Sequence, residues 1–153
     1  MKKKTSIAPF SLLPQDKQKT INNHFSFENH KKGSILLIQE ITKVDKLYVL
    51  SKGSAQYYFQ ENFAKTLKKN LKEGDNFGGI SILMNDSMST RTLEVLEDST
   101  FMTLDAHIFS KVCEEFKEFK EYFTAEFGKC MLNKSYAGII LRHIRDKEFN
   151  LPF

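Results

Sequence analysis

The sequence has no tryptophan, two cysteines, three prolines and seven glycines in 153 residues. Arginine is also scarce: Arg91, Arg142 and Arg145 stand among 23 basic residues. Each shortage excludes something. Cys113 and Cys130 are too far apart for a short metal or redox spacing, and both read as reduced thiols in a helical region. The four histidines, His24, His30, His107 and His143, include no His-x-His pair, which argues against a cupin-type metal centre. No run approaches the ~20 apolar residues of a membrane span. The lysines at positions 2–4 imitate the start of a signal peptide. Pro9, Pro14 and the polar Gln15–Lys19 stretch leave no apolar segment behind them. The cytoplasm is therefore the expected compartment, with no membrane partner. No Gly-x-Ser-x-Gly elbow is present, so a serine hydrolase is unsupported, and no enzyme activity is expected. A net charge of +4, carried almost entirely by lysine, is a weak argument for nucleic acid.

What remains is a chain of single-domain length that can bury roughly 68–70% of its unfolded surface. Its charged fraction, 27%, is mixed in sign and does not signal disorder. Pro9 to about Asn23 reads as a short helical lead-in, with Pro14 near a helix start and Leu12, Leu13 and Ile21 as its apolar contacts. From His24 to Leu104 short apolar or alternating runs recur. They are Ile35–Ile38, Leu47–Leu50, Ala55–Phe59, Leu93–Leu96 and Thr100–Leu104, each of strand length. The turn signals Lys32-Gly33-Ser34, Lys52-Gly53-Ser54, Glu73-Gly74-Asp75 and Glu97-Asp98-Ser99 separate them. That rhythm predicts an antiparallel roll, barrel or sandwich. The lysine-rich Lys65–Lys72 stretch reads as an edge hairpin protected from pairing with other molecules.

After Asp105 the period changes. Phe109, Val112, Phe116, Phe119, Phe123 and Phe127 recur every three or four residues, with Lys and Glu on the other face. Asp105 is the expected N-cap, and the helix divides in two or weakens at Gly128. A further helical piece is expected over about 135–145, carrying Tyr136, Ile139, Ile140 and Ile144. Leu151-Pro152-Phe153 resembles the beginning of a linker. The expected division is an N-terminal arm over 1–9, a domain over 10–133 and a C-terminal helix and linker over 134–153. Within that domain the strands span about 24–104 and the helices about 106–133.

The densest signal is Gly74-Asp75-Asn76-Phe77-Gly78-Gly79-Ile80-Ser81, followed by a polar loop and Ser89-Thr90-Arg91-Thr92. Two glycines permit a tight turn. A short helix from about Ile80 would direct N–H groups and a positive dipole end outward. Arg91 would add charge from the next strand. Together they form a cradle for one phosphate. The plainer reading is a glycine-rich β-connection with Arg91 on a solvated face.

In order, Gly33, Leu47-Tyr48-Val49-Leu50-Ser51-Lys52-Gly53, Leu71-Lys72-Glu73-Gly74-Asp75-Asn76-Phe77-Gly78 and Leu96-Glu97-Asp98-Ser99 resemble the cyclic nucleotide-binding domain. The likeness runs from about Phe10 to Leu132. It implies a mainly β fold, an antiparallel β-roll of jelly-roll type with one helix before it and helices after. It also implies a phosphate-binding cassette at Phe77, Gly78, Gly79, Ile80 and Ser81, with Ser89, Thr90, Arg91 and Thr92 alongside. The implied ligand is a small nucleotide, cyclic AMP or cyclic GMP, with no other cofactor.

Two positions depart from the family pattern. Gly79 stands where the family has a ribose-binding Glu. Ser89 stands where the family's phosphate-binding Arg falls, and Arg91 lies two residues later on the same strand face. Either Arg91 substitutes, as it stands or through a shift of the loop that makes it fit, or the ligand is lost. The first reading implies that Gly79→Glu with Ser89→Arg strengthens cyclic AMP binding. The second leaves a degenerate fold that serves as a structural or dimerisation module.

Tyr122-Phe123-Thr124, Phe127-Gly128-Lys129, Met131-Leu132 and Tyr136 resemble N-terminal sensor domains of large bacterial signal-transduction proteins. Those chains continue into paired CBS domains and a nucleotidyltransferase. The resemblance implies linked effector domains in a longer parent chain and a homodimer through the C-terminal helices. Too few residues follow Leu132 for a helix-turn-helix, so no DNA binding by this chain is expected.

Overall fold

The computed structural model describes residues 9–84 and 86–132, with side chains as far as Ala125. Residues 1–8 of the expected 1–9 arm, and the expected helix and linker over 134–153, lie outside the described residues. A 3-10 turn at Phe10–Leu12 leads into α1 (Gln15–Asn22). Pro14 occupies the N-cap of α1, where its missing N–H costs nothing. Leu13 and Ile21 are buried as expected, whereas Leu12 is exposed.

The strands are β1 (Ser26–His30), β2 (Ile35–Leu37), β3 (Lys46–Glu61), β4 (Ala64–Leu71), β5 (Asn76–Phe77) and β6 (Thr92–Asp105). α2 (Gly79–Met84) sits between β5 and β6, and α3 (Ala106–Glu115) and α4 (Lys117–Leu132) follow. The sheet runs β1-β6-β3-β4, with β2 also on β6 and β5 also on β3, and each pairing is antiparallel. This is a mainly β roll with flanking helices. Among the described residues no helix is long and apolar enough to cross a membrane.

Two of the expected turns are bends inside continuous strands. Leu47–Leu50 and Ala55–Phe59 both belong to β3, and Leu93–Leu96 and Thr100–Leu104 both belong to β6. The β3–β6 register slips between Leu50 and Lys52, Lys52 and Ser54, and Ser54 and Ala55. The strands curl there without separating, as bulged strands do. Gly53 permits this with φ +110°, and a Cβ on it would lie 2.2 Å from Ser99 Oγ and 2.7 Å from Ser99 Cα. Ser99 repairs the interrupted ladder. Its hydroxyl accepts from Ser54 N–H at 3.0 Å and lies 2.7 Å from Glu97 O. The glycine and serine signals were present in the sequence, but the same residues serve a turn or a bulge.

Period-2 alternation divides the core. Leu47, Val49, Met102 and Leu104 face the helices and pack with Phe10, Phe109, Phe119 and Phe123. Tyr48, Leu50 and Phe101 face the roll interior with Leu37, Phe77 and Leu93. Ile82 of α2 packs against both clusters. Asp105 caps α3, its Oδ1 accepting from His107 N–H at 2.8 Å and Ile108 N–H at 3.3 Å. The helical region breaks at Phe116, which is extended (φ −122°, ψ 101°). Phe109, Val112, Phe119 and Phe123 are buried, and Phe116 is partly so. Phe127 lies beyond the described side chains.

β4 forms the expected lysine-bearing edge, with Lys65, Lys68 and Lys69 exposed. β3 and β4 join through Asn62 and Phe63, at φ +51° and +66°. β1 and β3, which flank β6, are tied by charge. Glu28 of β1 accepts from Lys46 Nζ of β3 at 2.5 Å and contacts His30 Nε2 at 2.9 Å. Partial burial works to raise the Glu28 pKa, but the Lys46 and His30 bonds and charges outweigh it and hold it below 4.5.

Gly53→Ala should destabilise the domain by about 1–3 kcal/mol, because it adds a clash to an unfavourable φ. Urea unfolding with an unchanged m-value would read this. Glu28 contributes stability that is present above its unfolded pKa and lost as pH falls through its lower folded value. The acid-unfolding curve of Glu28→Gln should therefore lie beneath the native curve near pH 7 and converge on it only as pH falls below the lowered folded pKa of Glu28.

Candidate phosphate cassette and its arginine

Phe77 ends β5 with its ring buried, and pairing with Tyr48 fixes the point where the chain must turn. Gly78 makes that turn at φ +110°, in a space where a Cβ would lie 3.0 Å from Val44 Cγ1. α2 begins at once, with Ile82 N–H bonded to Gly78 O at 3.1 Å. The N–H groups of Gly79, Ile80 and Ser81 therefore lie in the first turn, where a helix has no carbonyl of its own to offer them. The sequence pattern of glycine turn followed by helix is thus met, with the helix starting at Gly79.

The following loop is stitched down on both sides. Ser81 O accepts from Ser87 N–H at 2.9 Å, and Ser81 Oγ accepts from Thr90 N–H at 3.3 Å. Ser89 N–H donates to Thr42 O at 3.0 Å, and Ser89 O accepts from Glu40 N–H at 2.8 Å. Ser89 Oγ donates to Arg91 O at 2.5 Å, with the residue fully buried. Thr92 Oγ1 accepts from Gln39 N–H at 3.0 Å and lies 3.1 Å from Gln60 Oε1. The hydroxyls of Ser89 and Thr92 thus hold the fold, which leaves Thr90 as the hydroxyl of this group suited to a ligand.

Arg91 does not lie on a solvated face. It is 8% exposed, and its guanidinium carbon lies 4.3 Å from the Tyr57 ring centroid and 4.9 Å from that of Phe77. The two rings are 5.1 Å apart and tilted by 37°. Cation–π attraction of this kind strengthens as water is excluded. The sequence signalled the cation and the aromatic at 77. Tyr57 was missed because it read as one more strand residue, and only the β3–β6 pairing brings it beside Arg91. Tyr57 also borders a recess of about 200 Å³ lined by Lys69, Asn70, Asp75, Asn76 and Tyr122 of α4.

Gly79 has a different surrounding from the rest. A Cβ there would stand 2.7 Å from Phe123 Cδ1, 3.0 Å from Phe123 Cε1 and 3.4 Å from Phe109 Cζ. Position 79 thus faces the helical core. Ser89 is fully buried, so in this arrangement neither Gly79→Glu nor Ser89→Arg fits without displacing its neighbours.

The cassette, the inward arginine and the roll place the chain in a known class. The sequence matches the family model described as cyclic nucleotide-binding domain over residues 27–116. The chain belongs to this regulatory family. It is 31% identical over 107 residues to human Rap guanine nucleotide exchange factor 3, covering 69% of this chain and 11% of that protein. The solved structure of cAMP-bound PfPKA-R is 30% identical, with a TM-score of 0.61 over 67% of this chain and 36% of that chain. The sensor domain of the transcriptional regulator DNR from Pseudomonas aeruginosa shares the fold. Its TM-score is 0.70 at 14% identity, over 86% of this chain and 91% of that chain. The chain thus spans a small part of the first two relatives.

Ser89→Ala should cost about 1–3 kcal/mol, because it leaves the buried Arg91 carbonyl without its donor. Ser89→Thr, which keeps the hydroxyl, should recover part of this in the same thermal-unfolding measurement.

Proposed function

We propose that this domain senses a cyclic mononucleotide, cyclic AMP or cyclic GMP, and passes occupancy to linked domains through α3 and α4. The phosphate would lie on the N–H groups of Gly78 to Ser81, with Arg91 as counter-charge and Thr90 as hydroxyl partner. The observation that carries this reading is the position of Arg91. A cation kept inside a roll is held against a desolvation cost, and a guanidinium stacked on Phe77, two residues before α2 begins, is of a kind matched to a phosphate. An arriving phosphate must share Arg91 with Tyr57 and Phe77, so binding and rearrangement of that stack go together. The ligand must favour one arrangement of α3 and α4 over another, since equal affinity for both shifts nothing. A longer parent chain, pairing through the C-terminal helices and the absence of DNA binding and catalysis by this chain complete the proposal.

A second reading is supported by the same stack. If Tyr57 and Phe77 satisfy Arg91 permanently, the cassette is degenerate and the domain is a structural or dimerisation module.

A thermal-shift series with cyclic AMP, cyclic GMP and their linear monophosphates separates the two. Ligand at 100 times its dissociation constant should add about 2.7 kcal/mol and raise Tm by roughly 5–10 °C. Arg91→Ala should abolish the rise. No rise with any nucleotide at millimolar level would favour the structural module.

A further inference from the structure

Two bulky residues of the β3–β4 hairpin take backbone conformations that favour glycine. The hairpin closes on Asn62 and Phe63, at φ +51° and +66°. A two-residue turn of this hand prefers asparagine followed by glycine, so its first place is filled to pattern and its second is not. Phe63 is also 108% exposed, as open to solvent as in an extended peptide. The fold thus carries a strained phenylalanine that it does not bury, and strain of this kind persists where it serves something else. Leu67, at φ +51°, is the second case. It lies where the β3–β4 register slips, opposite Tyr57 to Phe59, and so forms a bulge. On either side of the bulge Lys65 pairs with Gln60 and Asn70 with Gln56. Both partners lie on the face of β3 opposite Tyr57 and the roll interior. The bulge therefore puts Lys65 and Lys68, three residues apart, on one outer face, and Lys72 follows two beyond Asn70.

The tip end of the hairpin carries two more exposed apolar residues. Ile38 and Ile41 stand in the turn after β2. Gln39, between them, fastens that turn to the hairpin. Its Nε2 donates to Gln60 O at 3.3 Å, and its Oε1 accepts from Gln60 N–H at 2.6 Å. We propose that this hairpin and turn dock the domain on a bilayer surface rich in anionic lipid. Phe63 and the two isoleucines enter the headgroup boundary, and the lysines of β4 face the lipid phosphates. From Asn62 to Lys72 there are four lysines and no acidic residue. Glu94 of β6 offsets one of them, meeting Lys65 at 3.2 Å. Each lysine near an anionic bilayer strengthens attachment about fivefold. Lysine without arginine, and aliphatic neighbours beside a single ring, suit lipid better than nucleic acid, which is bound by arginine and stacked aromatics. A chain without a spanning segment can still lie on a membrane in this way. None of these residues belongs to the cassette, so the surface acts independently of nucleotide.

The test uses the full chain without nucleotide and reads co-sedimentation with vesicles of phosphatidylcholine, either alone or with about a third phosphatidylserine. Binding should appear with the anionic vesicles and weaken as salt rises. Phe63→Gly should lower it at least about tenfold, since the inserted ring is lost. The same change gives the turn its preferred residue, so Tm should hold or rise while binding falls. Lys68→Gln with Lys72→Gln should lower binding by roughly an order of magnitude and flatten its salt dependence. Equal binding to both kinds of vesicle would overturn the membrane surface, as would unchanged binding in Phe63→Gly. A fall in Tm on Phe63→Gly would also overturn it, because the fold itself would then need the ring. So would a lack of binding to anionic vesicles, including the case where a single-stranded oligonucleotide or a polyglutamate peptide binds through Phe63 instead.

Discussion

The pairing of β3 with β6 is the constraint on which the domain depends. Both strands run past the normal length of a β-strand, and they stay paired because Gly53 and Ser99 let them bend together. That bend allows one ladder to face the helices at Leu47 and Leu104 and to bring Tyr57 and Leu93 together further along. Without it the guanidinium of Arg91 would have no aromatic walls. The roll interior and the helical core would also lose the shared backbone that lines both.

The cassette has a corresponding place between the two cores. It is short, and most of its fixed geometry comes from the neighbours it touches. Phe77 is buried in the roll, Ile82 reaches both clusters, and Ser81 and Ser89 bond the loop on either side. Such a segment is positioned by its packing partners, because closely packed side chains leave little room for one of them to shift alone. α4 lies far from Arg91 along the chain, yet its Tyr122 borders the same recess as Tyr57, the ring on which Arg91 stacks.

Much of this was legible from the residues. The strand rhythm after His24, the helix period after Asp105, the cap at Asp105 and the lysine-bearing edge all depend on local pattern, and the structure repeats them. The cassette was legible for the same reason, since a glycine turn and a short helix are local features. Other points depended on partners far away in sequence. Gly53 looked like a turn because its role is defined by Ser99, and β1 carries no strong apolar run to announce it. Gly79 read as a lost ribose contact, although its environment is set by Phe123. Ser89 read as a missing arginine, although it is a buried bond to the carbonyl of Arg91.

The fit at position 79 has an evolutionary consequence. Glycine and glutamate codons can differ by a single nucleotide, so exchange between them is mutationally easy. Here the aromatic ring opposite makes that exchange contingent on a second change in α4. In the present arrangement an acid at 79 and this seated ring exclude each other.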